Sequence, residues 1–350
     1  MSRGRNIAKK TNKLFDVAVV GATGAVGEAL VAILEDRNFP VRELHLLAGS
    51  RFAGKRVEFK GKHNLVRDVA GFDFSKVQIV FFSASEAVSA EYAPKAAAAG
   101  CVVIDNTTHF RYEPDIPLVV PEVNPQDIAR YKNRGIIANP NASAIQMMVA
   151  LKPIHDAAGI ERINVCTYHS VSGTGEEAIK ELASQTALLL NGQSVKSRVY
   201  PKQIAFNCLP QIDEFLDNGY TKEEMTLVWE TRKILGDESI QVNPTAVRVP
   251  VFYGHAEAVH IETRKKISAE EARRLLKKAP GVKVVDEHKP GGYPTVVTES
   301  VGKDAVYVGR IREDLSHPRG LDLWVVSDNL RKGSALNSVQ IGEYLVNNYL

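Results

Sequence analysis

The sequence predicts an α/β chain in which a doubly wound parallel sheet carries an inserted α+β domain, and three observations predict it. Apolar strand-like runs alternate with helical runs up to about residue 138, the pattern of parallel strands joined by crossover helices. Beyond that point long helices mix with strands that look antiparallel. The last run, SALNSVQIGEYLVNNYL (334–350), is an amphipathic helix long enough to return to the first domain.

In chain order, FDVAVV (15–20) reads as a buried strand and AVGEALVAILEDR (25–37) as the helix behind it. ELHLLAG (43–49), VQIVFFSA (77–84) and CVVIDN (101–106) read as further strands, with the helical EYAPKAAAAG (91–100) before the last. GII (135–137) is a short strand that stops at Asn-Pro-Asn, and a helical segment opens around Ala142. That is how a nucleophile is often presented, yet Ala142 has no nucleophilic atom. In the second part EEAIKELASQTALLL (176–190) and TKEEMTLVWETRKIL (221–235) are helices. RINVCTYHSVS (162–172), QVNPTAVRVPVFYG (241–254) and AEAVHIETRK (256–265) are its antiparallel-looking strands. Thr221 with Glu224 and Ser268 with Glu271 have the spacing of capping boxes. The expected domains are 15–137 plus 325–350, and 138–324, after a mobile basic tail over 1–14.

Composition narrows the class. With 44% apolar and 24% charged residues the 350-residue chain is an ordinary globular protein, long enough for two cores. No run approaches the roughly 18–20 apolar residues that span a bilayer, and no signal peptide is visible. Five basic side chains fall within the first 15 residues of a chain whose net charge is +3, so the remainder is slightly acidic and no nucleic-acid surface is expected. Three cysteines (Cys101, Cys166, Cys208) have neither disulfide nor metal spacing, which suits a reducing cytoplasm.

Gly21, Gly24 and Gly27 lie directly between the first strand and its helix. Glycine permits the tight turn and lets backbone N–H groups approach a pyrophosphate at the helix N-terminus, as in a Rossmann-type dinucleotide site. NAD sites place an acid at the end of the second strand, roughly 20 residues on. Here that strand ends LLAGSRFAGKR (46–56), with Ser50, Arg51 and Lys55 in place of an acid. Those groups suit a 2′-phosphate, so NADP is the expected cofactor.

These residues make the chain resemble the aspartate-semialdehyde dehydrogenase family from Phe15 to Leu350. The resemblance rests on GATGAVG (21–27), FRYEPDIPLVVPEVN (110–124), NPN with Ser143, Ile145 and Gln146 (139–146), and TY-SVSGTG around His169 (167–175). TKEEM (221–225), RVPVFYGH (248–255) and SDNLRKG (327–333) continue it. It implies NADPH-dependent reduction of aspartyl-4-phosphate to the semialdehyde, in amino-acid biosynthesis, by a homodimer or dimer of dimers. A thiolate would expel phosphate from the substrate, hydride would reduce the thioester, a histidine would move protons and arginines would grip the anions. Carried over residue by residue, Arg111 becomes the phosphate arginine and Arg248 the carboxylate arginine. Glu223 holds the amino group, Asn141 adjoins the substrate and His255 is the acid/base. Gly21, Thr23, Gly24, Ala25, Val26, Gly27, Ser50, Arg51, Gly173 and Asn329 face the cofactor. No metal is implied.

The chain also departs from that family. Ala142 stands at its cysteine position and Ala144 at the following threonine. His169 replaces its glutamine and Thr226 its lysine, while Phe52 replaces a small serine near the 2′-phosphate. The serine pair before Arg111 reads Thr107, Thr108, followed by His109. Cys166, three residues before His169, is expected on the packed side of its sheet and cannot substitute. The apex is expected to be wider and less nucleophilic, with His169 cationic below about pH 6.5. Three functions stay open: a dehydrogenase that has lost most activity, a non-catalytic NADP-binding paralogue acting through partners, and a site repurposed around His109, His169 and His255, with or without a metal. N-acetyl-glutamyl-phosphate reductase chemistry is disfavoured, because its Gly-Cys apex does not match Asn141-Ala142.

Overall fold

A computed structural model describes residues 13–350, so the expected tail falls, except for Lys13 and Leu14, outside the described residues. The chain forms two compact units, one running to Pro140 and completed by Ala335–Leu350, the other Asn141–Ser334.

The first unit is built on a seven-stranded sheet. Its elements are β1 (Phe15–Val20), α1 (Ala25–Asp36), β2 (Val41–Ala48), β3 (Arg56–Phe59), β4 (Lys62–Asp68), β5 (Ile79–Phe82), α2 (Glu86–Ala98), β6 (Val102–Asp105) and β7 (Ile136–Ala138). The strand order is β3-β4-β2-β1-β5-β6-β7. All neighbours are parallel except the β3–β4 hairpin at the edge. β1, β5, β6 and β7 are buried at every position, which is why their sequences are unbroken apolar runs rather than alternating ones. The C-terminal helix, Leu336–Asn348, belongs to this unit. Glu343 on it takes both Nε and Nη2 of Arg37 at 2.8 and 2.7 Å. Gly342 packs so closely on Phe39 and Phe81 that an added Cβ would lie 3.1 Å from either ring.

The second unit contains α3 (Ala142–Ala158), β8 (Ile160–His169), α4 (Glu176–Leu190), α5 (Lys222–Leu235), β9 (Gln241–Arg248), β10 (His255–Thr263), α6 (Ala269–Leu276), β11 (Val282–Val284), β12 (Val306–Glu313) and β13 (Gly320–Ser327). Its six strands follow the order β11-β12-β13-β10-β8-β9. The sheet is mixed rather than antiparallel: β8 runs parallel to β9, and β11 to β12, while β8–β10, β10–β13 and β12–β13 are antiparallel. Residues 170–240, which carry α4 and α5, separate β8 from β9, and a parallel pair needs such a crossover. Residues 325–327 end β13 and stay in this unit, so the return to the first begins at Ala335, not at residue 325.

The Thr221 capping box is complete: Glu224 N–H donates to Thr221 Oγ1 and Thr221 N–H to Glu224 Oε2. At Ser268 only half forms, since Glu271 accepts from Arg274 instead.

Candidate active site

The glycine turn sits in the first unit. Gly21 has φ +89°, and a Cβ there would meet Ser83 O at 2.5 Å; a Cβ on Gly27 would meet Gly21 O at 2.1 Å. Both glycines are therefore demanded by the fold. Gly24 is different. It is the exposed N-cap of α1, its backbone is extended, and an added Cβ would make only ordinary contact at 3.6 Å. Its small size leaves room for a ligand rather than for protein, at a helix N-terminus whose first N–H groups point outward. Thr23 and Val26 flank it half-buried and Ala25 is exposed.

After β2, Ser50, Arg51 and Lys55 are exposed, as their cationic reading requires. The Phe52 ring serves as a platform for two of them, with the Arg51 guanidinium 4.5 Å and the Lys55 ammonium 5.3 Å from its centroid. Arg111, in the same unit, is buried and donates through Nε to Asn139 O and through Nη2 to Asn106 O, both at 2.9 Å. His109 is exposed, its ring edge-on to Phe110.

The second unit gathers the remaining candidates. Asn141 caps α3: its Oδ1 accepts from Ser143 N–H at 2.9 Å and its Nδ2 donates to both carboxylate oxygens of Glu223 at 3.0 and 3.1 Å. Its own N–H donates to Glu230 Oε2 at 2.7 Å. Glu230 had no place in the sequence reading, although it lies seven residues after Glu223 and so on the same face of α5. The two carboxylates fix the turn that presents Ala142. An added Cβ on Gly333 would meet Ala142 Cβ at 2.7 Å, so that loop closes tightly on the same turn.

Strand register aligns three more residues. Arg248 pairs with His169 across β9–β8, and His169 with His255 across β8–β10. The two imidazoles stack with centroids 4.3 Å apart. His255 Nδ1 accepts the Ser170 N–H at 3.2 Å, which puts the ring proton of the neutral form on Nε2. Burial pushes its pKa down to about 3. His169 is likewise held neutral well below its ordinary value, first by burial and then by His255 and Arg248. The expectation of a cationic His169 below pH 6.5 is thereby corrected: a fully enclosed imidazole beside a guanidinium does not take the proton.

Arg248 is buried, donates Nη1–H to Ser170 O at 2.7 Å, and its Nε has no hydrogen-bond acceptor among the described residues. A Cβ on Gly173 would lie 3.1 Å from that Nη1 and 3.3 Å from His255 Nε2. Asn329 ties this loop together, its Oδ1 accepting from Gly254 N–H at 2.9 Å and its amide bonding Ser172 Oγ at 3.1 Å. Thr226 is buried.

Cys166 is half-buried and shares its face of β8 with Asn164 and Tyr168. The packed face holds Ile163, Val165, Thr167 and His169, so the expectation for Cys166 was wrong by the two-residue period of a strand. Among the described residues no three His, Cys, Asp or Glu side chains converge as a metal-binding group. Nor is any helix among them long and apolar enough to cross a membrane.

Residues 16–131 match the NAD binding domain of semialdehyde dehydrogenases, and residues 151–332 their dimerisation domain. The aspartate-semialdehyde dehydrogenase of Shewanella violacea is 62% identical over 335 residues, covering 96% of this chain and 98% of that protein. The structure of Vibrio cholerae aspartate semialdehyde dehydrogenase II complexed with ASA superimposes with a TM-score of 0.95 at 59% identity, over 97% of this chain and all of that one. Aspartate semialdehyde dehydrogenase with NADP from Candida albicans gives 0.76 at 25% identity, over 97% and 100%. The chain belongs to the aspartate-semialdehyde dehydrogenase family.

Proposed function

We propose that this chain keeps the ligand sites of an aspartate-semialdehyde dehydrogenase, for NADP(H) and a small acidic amino-acid derivative, but has negligible phosphorylating dehydrogenase activity. The observation that carries this reading is Ala142. It opens α3 on a turn braced by Asn141, Glu223 and Glu230, where the reaction requires a thiolate and the chain supplies a methyl group. No other cysteine among the described residues fits the task. Burial pushes the Cys101 thiol up to about 11, Cys166 lies on the opposite strand face from His169, and Cys208 is exposed.

The ligand side of the proposal has separate support. The Arg248 guanidinium is buried with one nitrogen lacking an acceptor among the described residues, a costly state that a carboxylate or phosphate would relieve. NADP is favoured by the exposed Ser50–Arg51–Lys55 group at the end of β2 and by its presence in the Candida structure. The match to a dimerisation domain supports a homodimer or dimer of dimers, and a cytoplasmic setting accords with three free cysteines. The test is NADPH formation from aspartate semialdehyde, phosphate and NADP before and after Ala142→Cys. Negligible turnover followed by partial recovery is expected, because His169 and Thr226 remain.

A further inference from the structure

Behind the inert Ala142, the next residue makes a contact that the dehydrogenase chemistry does not use. Ser143 is fully buried in the first turn of α3, and its Oγ lies 3.0 Å from His169 Nε2. On the other side of the ring, His169 Nδ1 faces Glu223 Oε1 at 3.8 Å. Glu223 is in turn held by the Asn141 amide at 3.0 and 3.1 Å. Hydroxyl, imidazole and carboxylate thus stand in the order that activates a serine nucleophile, with the hydroxyl at hydrogen-bond distance from Nε2 and the acid near Nδ1 but beyond direct hydrogen-bond reach. All of them belong to the second unit.

We propose that Ser143, His169 and Glu223 form a serine-based acyl-transfer triad that hydrolyses small activated acyl compounds, acyl phosphates among them. A carboxylate facing Nδ1 favours the tautomer with the proton there, which leaves Nε2 free to accept the Ser143 proton. Enclosure keeps the ring neutral, so the Nε2 lone pair is available to the Ser143 proton, while burial, His255 and Arg248 lower its basicity and make the transfer one that must be coupled to bond formation at the acyl carbon. The first turn of a 17-residue helix aims N–H groups and the positive end of its dipole at the place where an oxyanion would form. Ser143 is sealed while Asn141 and Ala142 are half-buried, so the proposal requires an acyl group to reach Oγ past the Ala142 methyl, and such a group must be small.

The steps balance without a redox partner. Ser143 Oγ bonds to the acyl carbon, its proton passes to His169 Nε2, the bond from that carbon to the phosphate or alkoxide oxygen breaks, and His169 Nε2 gives the proton to the departing oxygen, which leaves the ring neutral again. Water, deprotonated by His169, then attacks the acyl-serine ester; the ester C–O bond breaks and the proton returns to Oγ. An acyl phosphate yields a carboxylate, inorganic phosphate and one proton. The choice of acyl phosphates rests on the function proposed above; the triad itself does not. Thr167 Oγ1 also approaches Nε2, at 2.9 Å, and competes with Ser143 for it.

The experiment is hydrolysis of p-nitrophenyl acetate and of acetyl phosphate by the full chain without nicotinamide nucleotide, together with fluorophosphonate labelling read by peptide mass. Both compounds should be hydrolysed, and Ser143→Ala should lower both rates at least about 100-fold. His169→Gln should lower them about 100-fold or more, the usual scale of a lost general base. Glu223→Gln should lower kcat for p-nitrophenyl acetate while leaving KM nearly unchanged, and Glu223→Asp should restore part of it. Thr167→Val should raise the rate by removing the rival hydroxyl. The fluorophosphonate should sit on Ser143 of the unmodified chain, a result that stands even if Ser143→Ala fails to fold. Hydrolysis unchanged by Ser143→Ala, no hydrolysis of p-nitrophenyl acetate, or a label anywhere but Ser143 overturns the triad. Hydrolysis of the ester but not of acetyl phosphate leaves the triad standing and overturns the acyl-phosphate assignment.

Discussion

Gly24 and Gly27 are three residues apart and look alike in the sequence, yet they answer to different constraints. Gly27 has no space for a Cβ, so Gly27→Ala forces the turn against α1 apart and should destabilise the first unit by several kcal/mol, on the order of a core overpacking or more. Gly24→Asp meets only ordinary contacts and leaves the fold intact. It places a carboxylate where the pyrophosphate would lie, so binding should vanish while the melting temperature holds. Calorimetric titration checks this, with NADP(H) binding the unmodified chain more tightly than NAD(H); equal affinity for the two would contradict the reading of Ser50, Arg51 and Lys55. Sequence spacing placed these glycines at the junction of β1 and α1, where the structure has them. It could not show that Gly27 has no space for a Cβ and Gly24 has, because that difference lies in atoms of Gly21 and Ala22. Ser143 was hidden for a similar reason. A serine in the first turn of a helix reads as ordinary, and only the packing of α3 on β8 brings it to His169.

Elements were legible where burial is uniform. β1, β5 and β6 announce themselves as apolar runs, whereas the edge hairpin RVEF and KHNLVRD is short, polar and largely exposed, and carries no such signal. β12 escaped because Arg310, at φ +54°, interrupts its ladder and the register shifts between Gly309 and Arg312. β10 carries a further surprise. Glu257 is fully buried, and burial raises its pKa well above 4.5, against a weaker lowering by the Gln146 side chain. The sign of the consequence follows from proton linkage. Above pH 4.5 the unfolded chain releases this proton while the folded chain keeps it, so stability falls as pH rises, by up to about 1.4 kcal/mol per unit, until the buried carboxyl ionises. Glu257→Gln should therefore stabilise the protein at pH 7 to 8 and gain little at pH 4. Urea midpoints at the two pH values check it, and equal effects at both would refute the protonated carboxyl.

At the scale of the molecule the buried histidines act in the opposite sense. His169 and His255 are held neutral in the fold, and an unfolded histidine takes its proton near 6.5. Stability is complete above that value and is lost as pH falls below it, by up to about 1.4 kcal/mol per unit for each ring, and for His255 down to about pH 3. His169→Gln should make the fall between pH 6.5 and 5 shallower in thermal melts; an unchanged slope would show that this ring is not buried neutral. Light scattering at micromolar concentration should give twice the mass of the chain or four times it, and a monomer would contradict the assembly proposed from the dimerisation-domain match. The central claim is that the chain carries this family's ligand sites around an absent nucleophile. It is tested most directly by steady-state NADPH formation from aspartate semialdehyde, phosphate and NADP. The rate with Ala142 should lie at least ~10⁴-fold below that of an enzyme with its nucleophile, and Ala142→Cys should recover part of it. Robust turnover with Ala142 in place would contradict the account.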